Sequence, residues 1–316
     1  MSSPLPVTVV TGFLGAGKTT LVNAWLAGFA RGEVAVIVNE LGDVGIDGEL
    51  LAARARTIVE ITGGCVCCAS QAELVRALDE LGSSSAPPQR VLIETSGAAS
   101  PAGVLRAIAL GGPGGAFVLD GVITVVDAAR VDAVCRHDLA IEQVGYADVV
   151  VLSRTDVCDA RALAHARELI AAHNGAAVVL EGTRGVLPAA ASLGELLALR
   201  RMDLAEPREL PQLETHGVYE SVSLSLAGDL DGDRFAEFVE SEIAPFAGRL
   251  FRTKGILAIA GLDERMLLQG VADAVEITFG EPWGDTPRRS RLVVVGFALD
   301  RDALRRGFAA CAGAPT

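Results

Sequence analysis

The chain has 316 residues, half of them hydrophobic but only 4% aromatic, and carries a formal charge of −13. Such a length suits two domains with the larger first, and an excess of Ala, Val, Leu and Gly suits parallel strands buried on both faces, so an α/β class is expected. The acidic balance, with no clustered Lys and Arg stripe, excludes nucleic acid as a partner. No apolar run is long enough for a membrane span, and MSSPLPVTVV lacks the basic region and cleavage site of a signal peptide, so the expected compartment is cytoplasmic.

The first apolar run, 7–10, predicts a strand, and GFLGAGKT at 12–19 follows it directly. Leu21, Trp25 and Leu26 then fall at helical spacing. Strand, glycine-rich loop and helix in that order predict a nucleoside-triphosphate site. Gly12, Gly15 and Gly17 let backbone N–H groups approach phosphate where a Cβ would intrude, and Lys18 reaches the β- and γ-phosphates. The Thr19 hydroxyl can sit on Mg²⁺, Ala16 and Thr20 complete the cradle, and the helix aims its positive end at the same anion.

A second strand is predicted at 34–38, followed by Asn39-Glu40-Leu41-Gly42-Asp43-Val44-Gly45-Ile46-Asp47, a glycine-punctuated acidic loop where a nucleotide switch belongs. Next comes Gly63-Gly64-Cys65-Val66-Cys67-Cys68. Three thiols within four residues can converge on one borderline cation, Zn²⁺ first, and leave a tetrahedral position open for water, a carboxylate or a partner's thiol. A redox pair at Cys65 and Cys68, or plain buried thiols, are the alternatives. Cys135, Cys158 and Cys311 are scattered and read as buried fillers, and each of the four histidines as structural or exposed.

A helical pattern at 71–81 and a loop at 82–88 lead to a strand at 91–93 that ends in Glu94-Thr95-Ser96-Gly97. A carboxylate there can hold a metal-bound water while the Gly97 N–H senses the terminal phosphate; the alternative is that Glu94 caps the following turn. After a loop at 111–115, strands are predicted at 122–126 and 149–152, the latter ending in Ser153-Arg154-Thr155-Asp156. Asp156 could accept from the two N–H edges of guanine, with the Arg154 stem along the base and Ser153 where Asn is usual, so GTP is favoured over ATP. Alternatively, Thr155 or Asp156 caps the helix expected over 159–173. A further strand is expected at 177–180. The run of strands and helices predicts a doubly wound, mostly parallel sheet with its ligand at the carboxyl ends of the strands, where Asp127 also falls.

A polar, proline-bearing stretch at 203–217 reads as a linker, giving domains at 1–202 and 218–316. Beyond it the expected order is a strand (218–226), a helix (231–243), strands (250–260, 266–279 and 291–299) and a helix (301–311), a smaller α+β domain.

GFLGAGKTT, VNELGDVGID, GGCVCC, ETSG and SRTD, in this order, resemble the CobW-like family of metal-handling P-loop GTPases. RTKGILAIAG, LLQGVADAVE, EPWG and RSRLVVVGFALDRDALRRGF resemble that family's carboxyl-terminal domain. The resemblance implies a GTPase that holds zinc or cobalt through Cys65, Cys67 and Cys68, with Glu40 matched to a metal-site acid of some members, and that delivers the metal to a client metalloprotein. It also implies that Lys18 and Thr19 serve phosphate and Mg²⁺, that Glu94 and Gly97 replace the usual Asp and Gly, and that Asp156 reads guanine. The histidine-rich loop of many members is missing. No arginine finger or water-positioning Gln is identifiable, so unassisted hydrolysis on the order of 10⁻⁴ to 10⁻² per second is expected. An ATP-dependent kinase with structural zinc, and a nucleotide-stabilised zinc or thiol sensor, are the competing readings; a homodimer is left open.

Overall fold

A computed structural model describes residues 4–29, 33–40, 58–62, 69–84, 86–109, 117–187, 219–246, 250–271 and 274–313. The expected linker at 203–217, residues 41–47 of the acidic loop expected over 39–47, the loop at 111–115 and the cysteine loop at 63–68 lie outside them, while Asn39 and Glu40 belong to a strand. The chain divides into two compact units, Met1–Arg167 with Val178–Glu209, and Glu168–Ala177 with Leu210–Thr316.

The first unit is built on seven parallel strands: β1 (Leu5–Thr11), β2 (Val34–Glu40), β3 (Ile58–Thr62), β4 (Arg90–Thr95), β5 (Phe117–Asp127), β6 (Val149–Ser153) and β7 (Val178–Glu181). Their order across the sheet is β3-β2-β4-β1-β5-β6-β7. Val and Ile dominate the inner strands because both faces are covered, and every residue of β5 is buried. Helix α1 (Lys18–Leu26) lays Leu21, Val22 and Leu26 on the core that Val10, Val36, Leu92, Ile123 and Val151 build. The helices that follow are α2 (Ala69–Gly82), α3 (Ala102–Ala109), α4 (Val131–Val134) and α5 (Asp138–Gly145), then α6 (Ala160–His173), whose residues from Glu168 on are counted with the second unit.

Strand order reverses at β1, which has β4 on one side and β5 on the other, so the crevice for a ligand opens at the carboxyl ends of these three. The doubly wound parallel sheet expected from the sequence is therefore present. Two differences have physical causes. Strand β3 is a five-residue edge strand with one neighbour, β2, too short to show a period in the sequence. Strand β5 starts five residues before the expected 122, because Asp120-Gly121 reads as a turn. Here Asp120 is fully buried in an ion pair with Arg90 and accepts from Thr8, while Gly121 sits at the register shift between β5 and β1.

The second unit is an antiparallel sheet of five strands in the order β11-β10-β9-β12-β8. These are β8 (Tyr219–Ala227), β9 (Leu250–Leu257), β10 (Glu264–Val271), β11 (Ala274–Pro282) and β12 (Arg289–Phe297). Helices α7 (Gly232–Phe238) and α8 (Arg301–Ala310) pack Phe235, Phe238, Leu304 and Phe308 onto Leu224, Leu257, Leu268 and Val294, and the α+β character holds. Asp231 and Asp300 cap these helices by accepting from Arg234 N and Ala303 N. The run expected as one strand over 266–279 is a hairpin, β10 and β11; only Ala272 and Asp273 separate them in sequence, and an Asp with no Gly after it is a weak turn signal. The helix expected over 231–243 stays α-helical to Phe238 and widens into a π-turn over Val239–Ile243, which keeps Ile243 in the core. Among the described residues no helix is long and apolar enough to cross a membrane.

Candidate functional site

The phosphate loop leaves the carboxyl end of β1 at the crevice. Its Gly12, Gly15 and Gly17 all take positive φ, 140°, 72° and 101°. At Gly12 a Cβ would lie 2.2 Å from the Val125 carbonyl oxygen on β5, so only glycine lets the chain turn out of the sheet there. Gly17 is the left-handed residue that opens α1, and it offers no side-chain cap; nor does the first turn hold an acid. A helix start with neither a side-chain cap nor an acid suits an anion at its positive end. Lys18 Nζ donates to the Gly12 and Phe13 carbonyls at 3.0 and 3.4 Å, which keeps the ammonium over the loop it would share with phosphate. Ala16 is buried and Thr20 exposed at the start of the helix. This cradle fits a nucleotide phosphate chain.

On the metal side, Thr19 Oγ1 donates to Glu94 Oε1 at 2.7 Å. The residues expected to share Mg²⁺ thus touch, and the longer Glu reaches the place of the usual Asp from a buried position at the end of β4. In the turn that follows, Ser96 Oγ accepts from Ala98 N. Gly97 sits directly on the phosphate loop, where a Cβ would come within 2.8 Å of Leu14 N and 2.9 Å of Lys18 Nζ. An oxygen-rich pair on a threonine and a carboxylate is the donor set a hard cation such as Mg²⁺ takes.

On the base side, Asp156 lies exposed in a single 3₁₀ turn, Thr155–Val157. It does not cap α6, whose first turn is capped by Asp159 accepting from Ala162 N at 2.7 Å. Thr155 Oγ1 instead bonds the Gly182 carbonyl and the Thr183 hydroxyl. Arg154, itself left-handed at φ 56°, pairs through its guanidinium with Asp127 at 3.2 Å. Ser153 Oγ donates to the Ala16 carbonyl at 2.7 Å, so this residue holds the phosphate loop. The structure brings Ser153, Arg154 and the loop from Gly12 to Thr19 together.

Sequence reasoning missed two parts of this site. One is Thr183-Arg184-Gly185 after β7, with φ 52° and 79° at its last two residues; a Cβ on Gly185 would lie 2.6 Å from the Thr20 carbonyl oxygen, so the turn packs on the start of α1 beside Thr155. Its signal was the Gly-Thr-Arg-Gly string closing a strand. The other is α5 with its flanks. His137, read as merely structural, stacks on Phe13 of the phosphate loop at 4.8 Å, and Gln143 donates to the carbonyls of Gly97 and Ala99. Neither carried a motif.

Cys65, Cys67 and Cys68 fall outside the described residues, as does the side chain of Glu40, whose backbone ends β2. Among the described residues no three His, Cys, Asp or Glu side chains group to hold a metal. Cys311 is buried as expected, whereas Cys135 and Cys158 are only partly so. Burial and a neighbouring Asp132 push the Cys135 thiol up, and burial with Asp127, Asp159 and Asp156 does so for Cys158. Neither is thereby poised to ligate. His165 pairs with Asp132 at 2.8 Å on the surface.

The family described as CobW/HypB/UreG, nucleotide-binding domain, matches residues 6–181, and the cobalamin synthesis protein cobW C-terminal domain matches 219–312. The chain is 34% identical to the zinc chaperone YjiA of Escherichia coli (strain K12), covering 97% of this chain and 98% of that protein. It is 35% identical to the zinc chaperone CobW of Pseudomonas aeruginosa, over 95% and 89% of the two. The crystal structure of the Zn(II)-bound YjiA GTPase from E. coli superposes with a TM-score of 0.66 at 27% identity, covering 99% of this chain and 100% of that one. A phosphate cradle at a β1 switch point and both family segments in series lead to one conclusion: the chain belongs to the CobW family, a P-loop nucleotide-binding domain followed by the CobW carboxyl-terminal domain.

Proposed function

We propose that this CobW-family GTPase binds Mg²⁺·GTP at the crevice of its parallel sheet and uses the nucleotide to govern a metal held by Cys65, Cys67 and Cys68 with Glu40. The metal, Zn²⁺ with Co²⁺ as the alternative, then passes to a client metalloprotein in the cytoplasm. The observation that carries the nucleotide half is the 2.7 Å bond from Thr19 to Glu94, which ties the phosphate loop to β4 where the metal-bound water would sit. Thr19 and Glu94 would hold Mg²⁺, whose charge offsets that of the β- and γ-phosphates. Lys18 would donate to the same oxygens, Gly97 would meet the terminal phosphate through its backbone, and Asp156 would accept from guanine.

Strand register supports coupling to the cysteines. Asn39 is the partner of Thr95 on β4, and Glu40 the partner of Thr62 on β3, whose next residues are Gly63-Gly64-Cys65. From β3 to β1 is three strand spacings, roughly 15 Å. A switch turn at Glu94–Gly97 therefore shares hydrogen-bonded neighbours with the strand that launches the thiols. Equilibrium titration with Zn²⁺ of the protein loaded with GTPγS or with GDP tests the reading. A coupling of 1–3 kcal/mol predicts affinities differing by about 5- to 150-fold, and equal affinities would remove it.

A further inference from the structure

We infer that Gln143 is the positioning residue of the turn that follows β4, and that α5 moves with this turn as the nucleotide passes between its triphosphate and diphosphate forms. The inference rests on the proposed reading of Gly97 as the group that meets the terminal phosphate.

A glutamine with no exposure in the middle of a helix must spend its amide on hydrogen bonds, because a buried unsatisfied polar group costs about 1–3 kcal/mol. Here Nε2 donates to the Ala99 carbonyl at 3.1 Å and, more weakly, to the Gly97 carbonyl at 3.5 Å. The backbone of Gln143 is itself fixed, its carbonyl accepting from Thr124 Oγ1 of β5 at 2.6 Å. The neighbouring Glu142, also buried, accepts from Ser100 Oγ, which in turn accepts from Ala102 N at the start of α3. Two consecutive residues of one helix thus hold three of the four residues from Gly97 to Ser100 by side-chain hydrogen bonds.

The same helix is fastened to the phosphate loop at its other end. His137, its N-cap residue, stacks on Phe13 with the rings inclined by 17°, and the Phe13 carbonyl accepts from Lys18. Both loops expected to touch the β- and γ-phosphates are therefore gripped by α5.

The grip is incomplete in a way that suits a switch. Gln143 Oε1 is buried with no donor among the described residues, while both hydrogens of Nε2 have acceptors. A turn that shifts toward the terminal phosphate can exchange a carbonyl on Nε2 for a peptide N–H on Oε1, so the one amide can satisfy two positions of the turn. That is the bistable element a population shift requires.

The test uses the full-length protein with Mg²⁺. Hydrogen–deuterium exchange is compared between the GDP- and GTPγS-loaded wild type, and mant-GDP and mant-GTPγS affinities, kcat and KM are compared between wild type and Gln143→Met, whose thioether fills a similar volume and faces the same two carbonyls without a donor. We expect peptides over 94–100 and 137–146 to change protection together while 160–173 stays unchanged. We also expect Gln143→Met to keep mant-GDP affinity within about threefold and to lose tenfold or more for mant-GTPγS, with kcat falling further than KM rises. A structural role alone would weaken both nucleotides equally or neither, and would overturn the inference. If 94–100 responds to GTPγS but 137–146 does not, the inference fails and the Gly97 reading stands. If 94–100 does not respond, both fail. The exchange comparison needs only wild-type protein, so it decides even if the variant does not fold.

Discussion

Residues make the nucleotide site by subtraction as much as by addition. The missing Cβ of Gly12 and of Gly97 is what lets β1 turn past Val125 and lets the β4 turn lie on Leu14 and Lys18. Polar groups then fill the space: Lys18 toward its own loop, Thr19 toward Glu94, Ser153 toward Ala16. Asp156 is the residue whose role can be measured most directly. It is exposed, and capping of α6 falls to Asp159, so its removal should leave the fold intact. A carboxylate that pairs with both N–H edges of guanine can discriminate by roughly 10⁴, so Asp156→Ala should narrow the GTP over ATP preference by about 100-fold or more in competition binding, with little change in melting temperature. An unaltered preference would move base reading elsewhere, with the Thr183-Arg184-Gly185 turn first in line.

At the scale of elements, α5 carries a consequence for pH. Burial pushes the Glu142 carboxyl up to about 7, only partly offset by the hydrogen bond from Ser100. A carboxyl whose folded pKa lies above its unfolded value binds its proton more tightly in the native state, so stability falls as pH rises from about 4.5 to about 7 and levels off beyond. The span corresponds to about 3 kcal/mol in the limit of full burial. Chemical denaturation of wild type and Glu142→Gln across that window should show the slope in the first and a flatter profile in the second. Parallel profiles would mean that Glu142 stays ionised in the fold. Elements also explain which expectations needed revision. The β10–β11 reversal has only Asp273, without a Gly after it, to announce it, and the Asp120-Gly121 pair that looks like a turn lies inside β5 because Thr8 of the adjacent β1 and Arg90 of β4, one strand further, meet the carboxylate.

For the whole molecule, the described residues place one core of Val, Leu and Ile around the parallel sheet and another on the antiparallel sheet, where Phe308 meets Phe235 and Phe238 edge-on. Nucleotide binds groups of the first alone in the proposed reading. Saturating Mg²⁺·GDP at 100 times its Kd should stabilise that unit by about 2.7 kcal/mol. Scanning calorimetry should then show one transition moved upward by several degrees, with the heat of the second unit remaining at its own temperature. A single transition that moves as a block would show the units to unfold together.

The local order of residues by itself determined the α/β class and the family segments in their order, and it singled out the glycine-rich loop, Glu94 and Asp156 as the candidates for phosphate, metal and base. Each of these rests on neighbours in sequence: a glycine string between strand and helix, a carboxylate closing an apolar run, a periodic face. Only the tertiary structure decided that Thr19 meets Glu94, that Ser153 holds Ala16, that Thr183 sits beside Thr155, and that His137 and Gln143 grip two loops from one helix. Those contacts join residues 28 to 137 positions apart, wherever the strand order β4-β1-β5-β6-β7 brings carboxyl ends side by side. Spacing along a chain records what one strand or helix can do; it holds no trace of which strand lies next to which, and that adjacency is what assembles the site.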